Sequence, residues 1–343
     1  MNTPFTPFIS NEPTIPARVA VIRALIKDWI NSPWFIDLLN LYEGNITLEG
    51  RLDNDLAQLE EFSDRWDFRR IARERGAATD DNLTQGAGSA RWLSANTGFS
   101  PEVETRILDD SLHLGLVQAQ EPVLQGYDYV LVLGGARLSC MLRSVRAAEI
   151  VRSGVQVNNI ALLGAARPVA ESERDATDTY APNAVDEFDL IIAGARDAFG
   201  IDTNVYQEDR YDDPNNKNLS WAIRTFHAEF EKKTYRFLAI SAPSSDPLSR
   251  RANSADTWTF FLDQEKPKPG NKLLLVTSQI YVPYVQLEAL RTLGLPHNLL
   301  VETIGFPGDR MPQLQGLTNA NHYLQEIRST IQAALRFCRA YPE

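Results

Sequence analysis

Short apolar runs alternate with stretches of helical periodicity from residue 127 onwards, and this alternation constrains the fold more than any other feature. The runs span residues 127–135, 159–164, 236–241, 272–278 and 298–305. Buried strands separated by helices are typical of a parallel sheet that is covered on both faces. The pattern therefore predicts an α/β fold with a Rossmann-like, doubly wound and mainly parallel sheet of about five strands.

Helical periodicity predicts the remaining elements. In the second part of the chain it indicates helices over residues 186–200, 221–231, 284–294 and 322–337, and one directly after the first strand. The first 125 residues show no strand-like alternation. They predict helices from Thr14 to Trp34, from Asp53 to about Arg75 and after Ser100-Pro101, with a mobile loop over Gly76–Ser89. We expect a helical N-terminal region over residues 1–125, packed on the core or acting as a lid, and a Rossmann-like domain over 126–343.

The composition excludes several classes of protein. With 45 acidic and 34 basic residues, the chain carries a net charge of −11, which argues against nucleic-acid binding and against docking on an anionic membrane. No apolar run approaches the roughly 18 residues that span a bilayer, and the N-terminus lacks a secretory signal. Two distant cysteines exclude a disulfide framework, and none of the four histidines has metal-ligand spacing. We expect a cytoplasmic protein without a metal site.

Glycine and arginine recur where the predicted strands end. The first strand ends at Gly134-Gly135, where the backbone can approach a ligand closely, although a tight strand-to-helix turn explains the same residues. Neither GxGxxG nor GxxxxGK[ST] is present, so the cofactor stays unknown. The planar arginine fork suits a carboxylate or phosphate. The alternative is that each arginine pairs with a nearby acidic residue and holds a loop together.

Ligands of open α/β sheets bind outside the carboxyl ends of the strands, so the residues at those ends are the candidate site. The candidate ligand-binding residues are Gly134, Gly135, Arg137, Arg143, Gly164, Arg167, Arg250, Arg251, Asn253, Thr257, Thr277 and Ser278. The candidate catalytic residues are Glu187, Asp256 and Tyr281. A glutamate at the start of a helix is either a helix-start device or an acid/base, and both interpretations of Glu187 stay open.

Four motifs at these strand ends resemble the YdcF-like superfamily of bacterial domains, which includes SanA-like and ElyC-like envelope proteins. They are VLVLGG (130–135) followed by Arg143 or Arg146, the helix from Glu187 through Gly200, the loop from Arg251 to Thr257, and LLLVTSQIYVPY (273–284). The sequence looks like a soluble actinobacterial-type branch, with Tyr281 and Tyr284 where the superfamily has His and Arg. The resemblance implies a Rossmann-like fold and a nucleotide-like or phosphorylated small ligand.

These observations lead to two functional hypotheses. The first is an enzyme, a hydrolase or transferase, that acts on an anionic, phosphorylated or nucleotide-linked metabolite at the strand ends. The second is a non-catalytic protein that binds a nucleotide or an S-adenosylmethionine-like ligand. For the first, replacing Arg167 and Arg251 by alanine is expected to abolish ligand binding and leave the melting temperature nearly unchanged. The N-terminal aromatic residues indicate either a packed core or a partner-docking module, and the oligomeric state stays unknown.

Overall fold

The computed structural model describes residues 7–42, 46–67, 70, 99–306 and 319–342. The chain divides into two compact units. The first comprises Met1–Ala119, Gln279–Arg291 and Pro307–Glu343, and the second comprises Gln120–Ser278 and Thr292–Phe306. The loop predicted over Gly76–Ser89 lies outside the described residues.

The described chain contains ten α-helices and seven strands. The helices are α1 (Ile15–Ile30), α2 (Pro33–Leu41), α3 (Leu52–Ser63), α4 (Pro101–His113), α5 (Ser139–Arg152), α6 (Arg174–Thr177), α7 (Glu187–Phe199), α8 (Ser254–Glu265), α9 (Val282–Ala289) and α10 (Ala320–Ala340). The strands are β1 (Gly126–Leu133), β2 (Gln156–Gly164), β3 (Gln207–Tyr211), β4 (Trp221–Phe230), β5 (Lys233–Ser241), β6 (Lys272–Ser278) and β7 (Leu300–Phe306).

The described part of residues 1–113 forms helices and contains no strand, as the sequence predicts. Helices α1, α2 and α4 begin in the same way, with a serine or threonine at the N-cap and a proline in the first turn. This sequence satisfies one free N–H group and sets the backbone angle that a helix requires. The aromatic residues Trp29, Phe35 and Trp66 lie in the core of the first unit, each no more than 5% exposed. Among the described residues, no helix is long and apolar enough to cross a membrane.

The second unit contains a mixed sheet of seven strands in the order β3-β4-β5-β2-β1-β6-β7. The sheet of about five mainly parallel strands was thus an incomplete prediction. All five strands expected from the sequence are present, and they form the parallel part, β5-β2-β1-β6-β7. The two additional strands, β3 and β4, pair antiparallel at one edge.

The helix predicted over residues 221–231 was wrong, because this segment is strand β4. Its fully buried side chains are Ala222, Phe226 and Phe230, four residues apart. A spacing of four places side chains on one face of a helix, but it is also twice the period of a strand. The strand forms because it pairs with β5 through a two-residue turn, Glu231-Lys232, in which both residues have positive φ.

The parallel strands, numbered among themselves along the chain, follow the order 3-2-1-4-5, which is typical of doubly wound sheets. Helices α5 and α7 contact each other closely at Gly194, where a Cβ atom would lie 2.9 Å from the Cα of Met141. From β5 the chain crosses back over the sheet to β6, in the direction opposite to the steps from β1 to β2 and from β2 to β5. A right-handed crossover therefore places α8 on the face of the sheet opposite to α5 and α7. The direction of winding therefore changes between β1 and β6, and a crevice is expected at their carboxyl ends.

Candidate functional site

The loop after β1 is fixed by Arg143, which is 5% exposed. Its Nη1 donates to the carbonyl oxygen of Leu133 at 3.0 Å and also to that of Gly134. Its Nε and Nη2 lie 3.3 Å from the hydroxyl oxygen of Ser278, at the end of β6. Arg143 therefore ties the ends of β1 and β6 together at the point where the winding changes direction.

Gly134 and Gly164 allow the start of α7 to approach the ends of β1 and β2. A Cβ atom on Gly134 would lie 2.3 Å from Oε1 of Glu187 and 2.8 Å from the carbonyl oxygen of Leu163. A Cβ atom on Gly164 would lie 2.9 Å from the Cα of Phe188. Since real Cβ atoms do not approach other atoms this closely, both positions need glycine, and the carboxylate of Glu187 lies directly against the β1 loop.

Arg167 lies between two carboxylates. Its Nη1 is 2.9 Å from Oε2 of Glu173, and its Nε is 3.1 Å from Oε2 of Glu187. The side chains of Arg167, Glu173 and Glu187 are 12%, 5% and 12% exposed. Desolvation acts to lower the pKa of Arg167, but the charges of Glu187 and Glu173 outweigh it, and the pKa is raised. We refer to Glu173, Arg167 and Glu187 as the carboxylate–arginine cluster.

The two oxygens of Glu187 have different surroundings. Oε2 accepts the hydrogen bond from Arg167, whereas Oε1, next to Gly134, accepts none from the described residues. The backbone N–H of Glu187 donates to the carbonyl of Arg167 at 2.9 Å, so the backbone as well as the side chain is held in place. Glu187 is therefore a positioned carboxylate with one oxygen left to accept a proton or a hydrogen bond.

Arg251 lies near this cluster and is exposed. Its pKa is lowered by desolvation and by the positive charge of Arg167, while Glu187 and Glu173 act in the opposite direction. The described residues offer its guanidinium no ion pair and no hydrogen bond. Of the five arginines predicted to hold an anion, it is the one whose guanidinium makes no hydrogen bond and no ion pair with the described part of the chain.

Arg137 takes part in the loop between β1 and α5. It has a positive φ of 52°, its Nη1 donates to the carbonyl of Ser172 at 3.3 Å, and its own carbonyl accepts from the hydroxyl of Tyr180 at 2.9 Å. Cys140, which is fully buried, lies beside the same loop. Burial and then the charge of Glu187 raise the pKa of the Cys140 thiol to about 12, so the thiol is protonated at neutral pH.

Arg250 and Asp256 hold the start of α8. The Arg250 guanidinium forms an ion pair with Asp256 and donates to the hydroxyl of Ser245 at 2.8 Å. Asp256 also accepts from the backbone N–H of Asn253, whose side chain caps the helix in return. Burial acts to raise the pKa of Asp256, but the hydrogen bonds, first that from Arg250, lower it to about 2. Asn253 and Asp256 thus form a capping box, and the Thr257 hydroxyl donates to the carbonyl of Asn253 at 3.1 Å.

The remaining predicted residues follow β6. Thr277 is buried at 2% exposure, and Ser278 accepts from Arg143. Tyr281 lies in the 3₁₀ turn Gln279–Tyr281 and belongs to the first unit, as does Tyr284, whose pKa is raised by burial. The structure therefore groups Gly134, Gly135, Arg143 and Ser278 with Arg167, Glu187 and Arg251, and it places Arg250, Asn253, Asp256 and Thr257 in a separate helix cap.

Sequence reasoning did not include Glu173, Cys140 or Tyr180 in the site. The spacing of Arg167 and Glu173, six residues apart in a polar loop, was a signal for a local ion pair. No pattern in the sequence indicates that Cys140 or Tyr180 lies near Glu187. Within the described ranges, no group of three or more His, Cys, Asp and Glu side chains could hold a metal ion.

The second unit thus defines an α/β protein with a mixed seven-stranded sheet and the carboxylate–arginine cluster at the carboxyl ends of its parallel strands. The family model of the Rv3785 N-terminal domain matches residues 14–115. The chain is 36% identical over 323 residues to the Mycobacterium tuberculosis protein Rv3785 and, equally, to the Mycobacterium bovis protein Mb3814, covering 92% of this chain and 89% of each relative. Both relatives are described as uncharacterized proteins. The chain belongs to the Rv3785 family, and no solved structure matches it.

The resemblance to the YdcF-like superfamily was wrong. The family model and the curated relatives place the chain in the Rv3785 family, over both the helical region and the α/β region. The strand-end motifs that carried the resemblance are short, and strands ending in glycine or serine are common wherever a parallel sheet meets its loops. The nucleotide-like ligand that the resemblance implied loses this support, so a proposal must rest on the residues themselves.

Proposed function

We propose that the second unit is an enzyme that acts on an anionic small molecule, phosphorylated or nucleotide-linked, by hydrolysis or group transfer. The observation that carries the proposal is the hydrogen bonding of the two carboxylate oxygens of Glu187. Oε2 is anchored by Arg167, and Oε1 accepts no hydrogen bond from the described residues, beside the loop where parallel sheets bind ligands. A general base needs this arrangement, because it must be held in place and still have a lone pair available.

The guanidinium of Arg251 supports an anionic ligand, because Arg167 and not Arg251 forms the ion pairs with Glu173 and Glu187. The Arg251 guanidinium has its donors available to a phosphate or carboxylate, with which it can form a bidentate contact. In the proposed reaction, Oε1 of Glu187 takes the proton from an attacking water or hydroxyl group while the oxygen of that group bonds to the electrophilic centre of the substrate. The bond from that centre to the leaving group breaks, and the leaving group departs with the electron pair and takes up a proton from Glu187 or from solvent. Arg251 binds the negative charge of the substrate.

The binding step is tested by a thermal-shift screen with inorganic phosphate, pyrophosphate, nucleotides, sugar phosphates and S-adenosylmethionine. A specific ligand at about 100 times its dissociation constant stabilises the folded protein by roughly 2.7 kcal/mol. We expect the stabilisation to vanish in Arg251→Ala and to persist in Arg339→Ala, which removes an exposed arginine from the end of α10. Equal stabilisation of both variants contradicts the proposed role of Arg251.

The chemical step is tested by turnover of the same ligand. We expect Glu187→Gln to bind it with similar affinity and to lose turnover by about 10²–10⁴-fold, which is the usual contribution of a general base. Wild-type turnover that is unchanged in Glu187→Gln contradicts the assignment of the base.

A non-catalytic binding protein is the second candidate. It is favoured by the position of the other two predicted acid/base residues, because Asp256 is held by Arg250 in a helix cap and Tyr281 belongs to the first unit. Mass spectrometry of the ligand after long incubation separates the candidates. A product supports the enzyme, and an unchanged ligand supports the binding protein.

The cytoplasmic location also stays a prediction.

A further inference from the structure

A small cavity of about 30 Å³ lies beside the start of α7, in the second unit. Asp186, Arg210, Asp212 and Ser241 are among the residues that line it. None of these residues belongs to the candidate site described above. A single water molecule needs roughly 10–15 Å³ of such space, so the cavity admits one small polar group and excludes a phosphate or a sugar ring.

Ser241 provides an unused polar group in the wall of the cavity. It ends β5, where it pairs with Gly164 of β2 on one side and Ala222 of β4 on the other. The residue is 3% exposed, and its Oγ has no hydrogen-bond partner within the described part of the chain. Because a buried hydroxyl without a partner is costly, Ser241 Oγ is available to hydrogen-bond with a polar group that binds in the cavity.

The charges around the cavity favour a cation. Arg210 and Asp212 compensate each other through a hydrogen bond of 2.8 Å from Nε to Oδ2, and both are well exposed. Asp186 has no such partner at short distance: its side chain accepts from the backbone N–H of Asp189 at 3.1 Å. Asp186 is half-buried; burial raises the pKa of its carboxyl, whereas the charge of Arg210 acts to lower it. The lining residues therefore leave one negative charge that a bound cation would balance.

We propose that this cavity is a binding site for a primary ammonium group, held between the carboxylate of Asp186 and the hydroxyl of Ser241. An ammonium group has the size of a water molecule, carries the required charge and donates three hydrogen bonds. The ligand is thus a small primary amine, or a larger molecule with an exposed amino group. The site stands apart from the proposed reaction, because neither Glu187 nor Arg251 takes part in it.

The test uses the full chain and methylammonium chloride, with binding followed by saturation-transfer NMR of the methyl signal. The ceiling of ligand efficiency for two non-hydrogen atoms allows a dissociation constant of about 6 mM at best. Tetramethylammonium chloride at the same concentration controls for ionic strength, because it has no N–H donors and is too wide for the cavity. We expect saturable binding of methylammonium and none of tetramethylammonium.

Two variants locate the binding. Asp186→Asn keeps a good N-cap residue for α7 but removes the charge, so we expect methylammonium to bind at least 10-fold more weakly. Ser241→Ala loses no hydrogen bond seen among the described residues and should fold normally, with binding weakened about 3–10-fold. Asp175→Asn, at an exposed position in α6, is the matched control and should bind as the wild type does.

Three results would overturn the proposal. The first is equal binding of methylammonium and tetramethylammonium, which would show a non-specific effect of charge. The second is equal binding of methanol, which would show a site for hydroxyl groups. The third is unchanged binding in Ser241→Ala, which decides the matter even where Asp186→Asn fails to fold. Arg251→Ala separates this proposal from the anionic site, because it should abolish anion binding and leave methylammonium binding intact.

Discussion

Replacing Arg167 by alanine leaves two nearly buried carboxylates without their counter-charge. The sequence alone places Arg167 in a ligand clamp, from which its removal would not change stability, but the structure predicts the opposite. Arg167 forms hydrogen bonds of 2.9 and 3.1 Å with Glu173 and Glu187, and all three side chains are at most 12% exposed. Removing one partner from a buried ion pair costs about 3–5 kcal/mol.

The cost is measured by urea unfolding, followed through tryptophan fluorescence. With a slope of about 2 kcal/mol per molar urea, a loss of 3–5 kcal/mol lowers the midpoint by about 1.5–2.5 M. Arg152→Ala is the matched control, since its ion pair with Glu231 is about half exposed at 3.5 Å and should contribute about 1 kcal/mol or less. Arg167→Lys should lose less than Arg167→Ala, because it keeps the charge but not the fork that reaches both carboxylates.

An Arg167→Ala variant whose free energy of unfolding lies within about 1 kcal/mol of the wild type would refute the reasoning.

Two further predictions concern residues near the strand ends. Gly134→Ala places a Cβ atom 2.3 Å from Oε1 of Glu187 and 2.8 Å from a backbone oxygen, and should cost about 1–3 kcal/mol in urea unfolding. Gly126→Ala, at the other end of β1 with its nearest atoms at 3.4 Å, should cost clearly less, and an equal cost would contradict the close approach. Burial acts to raise the pKa of Asp256, but its hydrogen bonds hold that pKa at about 2, below the ordinary value of 3.8. Asp256 therefore stabilises the fold above about pH 4, and this contribution is lost as the pH falls towards 2. Asp256→Asn should be less stable at pH 7 and should lose less stability in acid, and an acid titration of unfolding that matches the wild type would contradict this.

The parallel part of the sheet could be predicted from the sequence because its strands are buried on both faces. Strand β6, for example, is a continuous apolar run that is buried from its second to its sixth residue. The edge strands could not be predicted in the same way. In β4 the buried residues are four positions apart, which fits a helix equally well, and all five residues of β3 are exposed. The pairing of β4 with β5, and of β3 with β4, decides these two structures.

The candidate site was predictable in position but not in its internal contacts. The order of the strands brings Gly134, Arg167 and Glu187 to one edge, which follows from the α/β pattern. Whether an arginine binds a ligand or a neighbouring carboxylate depends on side-chain geometry, and the structure shows the second arrangement for Arg167 and Arg250. The cavity at Ser241 depends on β4, which the sequence indicated as a helix, so sequence reasoning did not foresee it.

We propose that an anionic small molecule binds at Arg251, beside the Glu187 oxygen that accepts no hydrogen bond from the described residues. A crystal structure of the wild-type protein with the ligand that stabilises it most tests this claim directly. We predict an anionic group within hydrogen-bond distance of the Arg251 guanidinium, roughly 2.7–3.2 Å, and the reacting centre next to Oε1 of Glu187. A ligand that binds in the crystal without contacting either residue would contradict the claim.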